Sequence, residues 1–184
     1  MQRAETVETM LYLPPPPDEA SLRRALAALT GRAPCVLLDH ADQALRDVAH
    51  AADMAAILGG VEGAGAEAAS AWELDGAEVP ALPAAALARA REALGKALSL
   101  GAHAGEDRDA AIEAAEAGCD YVVLSAGSDD DLVAFWSAAI ELPLVLECVE
   151  PDAARRWAGQ VDFIRPPASA WTDGFEVWTA ALGA

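Results

Sequence analysis

The sequence predicts a compact (β/α)8 TIM barrel, and two observations predict it: the alternation of its segments and their number. Short apolar runs alternate with helical stretches along the chain, eight of each. Strands separated by helices pair in parallel, and eight such units close on themselves. The 184 residues give about 23 per unit, tight for a fold whose chains are nearer ~250 residues. One domain, 1–184, is expected. An open parallel α/β sheet of fewer strands is the alternative.

The expected strands are Met10–Leu13, Cys35–Leu38, Met54–Leu58, Glu78–Val79, Ala97–Leu100, Tyr121–Leu124, Leu144–Val149 and Phe163–Ile164. The fourth is the weakest, with two residues before Pro80. Pro14–Pro17 cannot continue a ladder and reads as the first βα loop. The expected helices are Ser21–Leu29, Ala41–Ala49, Ala66–Trp72, Ala84–Leu94, Arg108–Ala117, Asp130–Ile140, Asp152–Ala158 and Phe175–Leu182. Ser21 is expected to cap the first, and Asp129–Asp131 to satisfy free N–H groups and the dipole of the sixth. Pro151 suits a first helical turn, and Gly118 ends the fifth helix.

Composition bounds the function. A net charge of −18 makes DNA and RNA improbable partners and disfavours anionic membranes. An anionic substrate would approach against this field and would need a metal or a local basic pocket. No apolar run is long enough to span a membrane, and Met1–Met10 carries charges where a leader has an apolar core, so a cytoplasmic location is expected. Three cysteines, Cys35, Cys119 and Cys148, lie in apolar runs without paired spacing and read as small buried hydrophobes, not a disulfide framework or zinc site.

Leu98–His103, the helix Asp107–Gly118 and Cys119–Leu124 together resemble a passage of thiamine phosphate synthases and their thiazole tautomerase relatives. Met10-Leu11-Tyr12-Leu13, Leu74–Val79, Ile140–Val145 and Glu150–Ala154 are similar to further family motifs in the same order, over roughly residues 10–165. The resemblance implies transfer of a pyrimidine diphosphate onto a thiazole phosphate in thiamine biosynthesis, with Mg2+ if that activity is retained. It also places the site at the carboxyl-terminal mouth of the barrel.

The sequence departs from that pattern where the chemistry sits. Leu58-Gly59-Gly60-Val61 stands for an Asn-Asp-Arg, Pro80–Pro83 lacks the family's metal carboxylate, and Gly101 replaces a serine. Glu147-Cys148-Val149-Glu150 stands where a Gly-Gly pair holds phosphate, an electrostatic conflict. Lys96, the only lysine, falls at the amino-terminal side of the fifth strand and cannot replace the catalytic lysine. A diverged barrel without synthase activity is therefore expected. It binds a small molecule at its mouth with or without catalysis; a working synthase and a non-catalytic scaffold are the alternatives.

The candidate catalytic residues are His103 and Glu147. His103 titrates near neutral pH, and Glu147, if it points inward, is a buried carboxylate with a raised pKa. Candidate ligand-binding residues are Arg165, able to clamp an anion, with Gly101, Ser125, Asp39 and His40. Each has a structural alternative: a hydrogen-bonded histidine, a salt bridge, a cap for the next helix. Trp136, Trp157, Trp171 and Trp178 read as core, or else as a pocket or homodimer surface.

Overall fold

The computed structural model describes residues 7–29, 31–61, 63–80 and 83–183. Most of the amino-terminal segment read above, and Ala81 and Leu82 of the Pro80–Pro83 stretch, lie outside them. The chain is a closed barrel of eight parallel strands in sequence order, each hydrogen-bonded to the next and the eighth to the first.

The strands are β1 (Met10–Leu13), β2 (Cys35–Leu38), β3 (Ala55–Leu58), β4 (Gly76–Pro80), β5 (Ser99–Gly105), β6 (Tyr121–Leu124), β7 (Leu144–Glu147) and β8 (Phe163–Arg165). Between and after them run α1 (Glu19–Leu29), α2 (Gln43–His50), α3 (Glu67–Ala71) behind a short 3-10 turn, α4 (Ala84–Leu94), α5 (Arg108–Glu116), α6 (Asp130–Ala139), α7 (Pro151–Trp157), α8 (Ala170–Asp173) and α9 (Glu176–Ala181).

Several sequence expectations are corrected. β4 runs from Gly76 through Pro80, because its ladder with β5 starts at Gly76↔Ser99. β5 starts at Ser99, not Ala97, and continues through Gly105, so Lys96 lies in the preceding turn. Ser21 does not cap α1: its backbone N–H donates to Asp18 Oδ1 at 2.7 Å, and its own hydroxyl accepts from Arg24. Asp42, not Asp39 or His40, caps α2 by accepting from the N–H groups of Ala44 and Leu45. Asp129 caps α6 as read, and Gly118 follows α5 at φ +87°, a backbone state that glycine adopts without Cβ cost. Trp136, Trp157 and Trp178 are buried in the core. Trp171 is half-buried and packs edge-on to Phe175. Cys119 and Cys148 are buried and Cys35 half-buried; burial pushes all three thiols up to about 12.

Alternation along each strand divides the core in two. Leu11, Val36, Ala56, Val79, Leu100, Leu124 and Ile164 face the helices in one large cluster. Tyr12, Ile57, Val123 and Val145 form a second, inside the barrel, with Cys35, Leu37, Tyr121 and Phe163 against it.

The amino-terminal end is held by a repeated device. Asp75, Asp120 and Asp162 each precede an even-numbered strand. Each accepts the N–H of a residue in the strand before: Ala56 at 2.8 Å, Leu100 at 2.7 Å and Leu144 at 2.9 Å. Asp75 also meets His50 at 2.8 Å, and Asp120 meets Arg91 at 2.5 Å. These aspartates fix the register of neighbouring strands without contributing to the mouth.

Candidate functional site

Strand register decides which polar side chains share the barrel interior. Glu78 pairs with Gly101 and Gly101 with Tyr121, while Glu147 pairs with Arg165. Each of the two rows thus carries an acid and a polar partner around the inside of the sheet, and they meet across the axis.

Arg165 lies at the centre. Its Nη1 and Nη2 donate to Glu78 Oε1 and Oε2 at 2.8 and 2.5 Å, a two-point fork. Both side chains are almost sealed, at 4% and 6% exposure. The guanidinium also stacks over the Tyr12 ring at 4.2 Å. Burial disfavours its charge, yet the bonded Glu78 carboxylate more than offsets this and raises its pKa. Its Nε is buried without a hydrogen-bond partner.

From this centre a polar chain runs toward each end. Toward the amino-terminal end, Tyr121 Oη donates to Glu78 Oε2 at 3.4 Å, and the Tyr12 and Tyr121 hydroxyls meet at 3.1 Å. Burial raises both phenol pKa values, which keeps them neutral. Toward the mouth, Arg165 Nη1 reaches Glu147 Oε1 at 3.5 Å, and Glu147 Oε2 faces His103 Nε2 at 3.4 Å. His103 and Glu147 remain about one-third exposed, at 33% and 31%. The chain therefore opens to solvent at this acid–base pair.

The carboxylate of Glu147 raises the pKa of His103, against the opposing effect of burial. The raised pKa expected for Glu147 is corrected. Burial pushes it up, but His103 and Arg165 outweigh that and lower it.

The structure thus brings together His103, Glu147 and Arg165, three of the residues singled out from sequence. Arg165, read as an anion clamp or else as one half of a salt bridge, gives its fork to Glu78, the second of these. Gly101 lines the interior beside Tyr121, where any Cβ would run into the phenol ring. Ser125 follows β6, half-buried, with its backbone N–H on Gly105 O at 2.9 Å. Asp39 and His40 are exposed on the loop after β2, and His40 faces Asp42 at 3.9 Å. Sequence reasoning missed Glu78, Tyr12 and Tyr121. The signal is the period of two, which puts Glu78 and Pro80 on one face with Gly76, but two strand residues, Glu78 and Val79, are too few to display it.

Other barrels superpose on this one. Tryptophan synthase from M. tuberculosis, in an open form, matches at TM-score 0.67 and 18% identity over 98% of this chain and 92% of that one. A native KDPGal structure matches at TM-score 0.69 and 14% identity, over 99% and 94%. 3-Hexulose-6-phosphate synthase matches at TM-score 0.61 and 12% identity, over 94% and 96%. No protein-family model and no curated protein sequence matches the chain. At these identities the likeness establishes the class, a (β/α)8 barrel, and no narrower family.

The resemblance to thiamine phosphate synthases is corrected by these findings: the barrels that superpose are of other kinds. The physical reason is visible in the motifs that carried it. Asp75-Gly76 and Gly118-Cys119-Asp120-Tyr121 are the strand clamps and a helix stop. They record how a barrel is built, not what it binds.

Proposed function

We propose that the carboxyl-terminal mouth binds a small uncharged or cationic molecule and exchanges a proton with it through His103, with Glu147 setting the basicity of the imidazole. The observation that carries this is the His103–Glu147 pair, about one-third exposed, at the open end of an otherwise buried and paired polar chain. A histidine whose pKa is raised by a bonded carboxylate is suited to general acid–base work. The (β/α)8 neighbours named as synthases support an enzymatic reading at the level of class.

Charge favours this ligand class. Asp39, Glu106, Asp107, Asp129 and Glu150 stand exposed on loops that follow strands, around the mouth. Arg165 is buried on Glu78, and Arg108 at the start of α5 lies over the Phe135 ring. The field at the mouth is therefore negative, which attracts cations and opposes phosphates. A scaffold would instead call for a filled, apolar mouth.

The test is a thermal-shift screen with amines, polyols, phosphate esters and carboxylates, on the wild-type chain and on His103→Ala and Glu147→Gln. Amines or polyols should stabilise the wild type and lose that effect in both variants. Stabilisation by phosphate esters alone, or shifts unchanged in the variants, overturns the reading.

A further inference from the structure

The amino-terminal end of the barrel, opposite the mouth, holds a cavity of about 230 Å³. Its walls include Cys35, Ala55, Ser99, Tyr121 and Phe163, each the first residue of its strand. Ile57 and Val145 form part of its inner wall. Barrel interiors are normally filled by layers of bulky branched side chains. Here the amino-terminal layer holds Cys35, Ala55 and Ser99, with Gly76 beside Ser99. The space follows from that choice of small residues.

We propose that this cavity is a second small-molecule site, taking an uncharged single-ring aromatic such as phenol or toluene. Size supports the ring: an enclosed apolar cavity of about 150 Å³ accepts benzene, and this one, partly open to solvent, has room for a ring with a small substituent. Chemistry supports an aromatic. Tyr12, Tyr121 and Phe163 already pack edge-to-face, with Tyr12 to Tyr121 centroids 6.1 Å apart and Tyr12 to Phe163 6.5 Å. They can offer a guest ring the same geometry. The Cys35 sulfur adds a soft, polarisable wall. Among the described residues no charged side chain lines the cavity, which disfavours an ionised guest on desolvation grounds. The site is independent of the mouth and of the reading proposed for it.

The test is a titration of the full chain with phenol and with toluene, followed by methyl NMR at Ile57 and Val145. Both residues should shift saturably, and His103→Ala should bind as the wild type does. Ala55→Leu fills the cavity and should weaken binding at least tenfold while the protein stays folded by circular dichroism. If that variant does not fold, Ser99→Leu makes the same test from β5, two strands away. No saturable shift at Ile57 and Val145 up to the solubility limit of either compound overturns the proposal. So does undiminished affinity in a folded, filled variant.

Discussion

Arg165 and Glu78, 87 residues apart in sequence, meet in the middle of the barrel through two parallel hydrogen bonds of 2.8 and 2.5 Å. Neither has appreciable contact with solvent. The chain of hydrogen-bonded groups that links Tyr12, Tyr121, Glu147 and His103 is arranged around this pair.

Removing one partner strands the other charge. Glu78→Leu or Arg165→Leu should each destabilise the fold by about 3–5 kcal/mol, measured by urea denaturation. The double variant should recover a large part of the loss, because the buried charges go together. A double variant as unstable as the sum of the singles would show that the pair is not the source of the cost.

The mouth pair predicts a pH window. The folded-state pKa of His103 lies above 6.5, so its stabilising effect is full below that value and fades as pH rises through the folded pKa. The folded-state pKa of Glu147 lies below 4.5, so its effect is present above that value and is lost as pH falls through the folded pKa. The pair contributes most between the two. Both groups are partly exposed, so the effect is modest and weakens with salt. Denaturation midpoints across pH 3–9 should differ most between wild type and Glu147→Gln inside this window, the difference closing as pH falls through the folded pKa of Glu147 and shrinking to the Arg165 share as pH rises through that of His103; parallel curves throughout would refute the coupling.

Gly101 is required for packing. A methyl group there meets the Tyr121 ring, which is held by Tyr12 and Glu78. Gly101→Ala should cost about 1–3 kcal/mol by overpacking. Adding Tyr121→Ala should relieve the clash, although it opens a cavity of its own. The thermal midpoints of the two single variants and the double variant measure this relief.

Asp120 tests the clamp. Its carboxylate is the acceptor for the buried Leu100 N–H. Asp120→Ala leaves that donor unpaired and should cost about 1–3 kcal/mol. Hydrogen exchange at the Leu100 amide should quicken. An unchanged exchange rate would mean that the ladder holds register without the aspartate.

The barrel was legible because its scaffold is written locally. Apolar runs such as Tyr121–Leu124, caps such as Asp129 and the stop at Gly118 each declare themselves within a few residues. The interior was less legible because it is written across the chain. Glu147 and His103 could be placed at strand ends, but their contact exists only once the sheet has closed. Glu78 was hidden by its neighbours: Gly76, Ala77 and Pro80 are poor strand formers, and only the ladder with β5 draws them into a strand. The partner that takes up the fork of Arg165 was therefore not visible. The family resemblance misled for a related reason, since strand clamps and helix stops recur wherever this fold is built.

The most direct test of the mouth reading is the side-chain NMR titration of the three histidines, His40, His50 and His103, with and without a saturating amine or polyol from the screen. The account predicts that His103 titrates above the ordinary histidine range, that Glu147→Gln lowers its pKa, and that ligand moves its resonance and leaves those of His40 and His50 in place. A His103 that titrates unchanged in Glu147→Gln and ignores every ligand that binds the protein would contradict it.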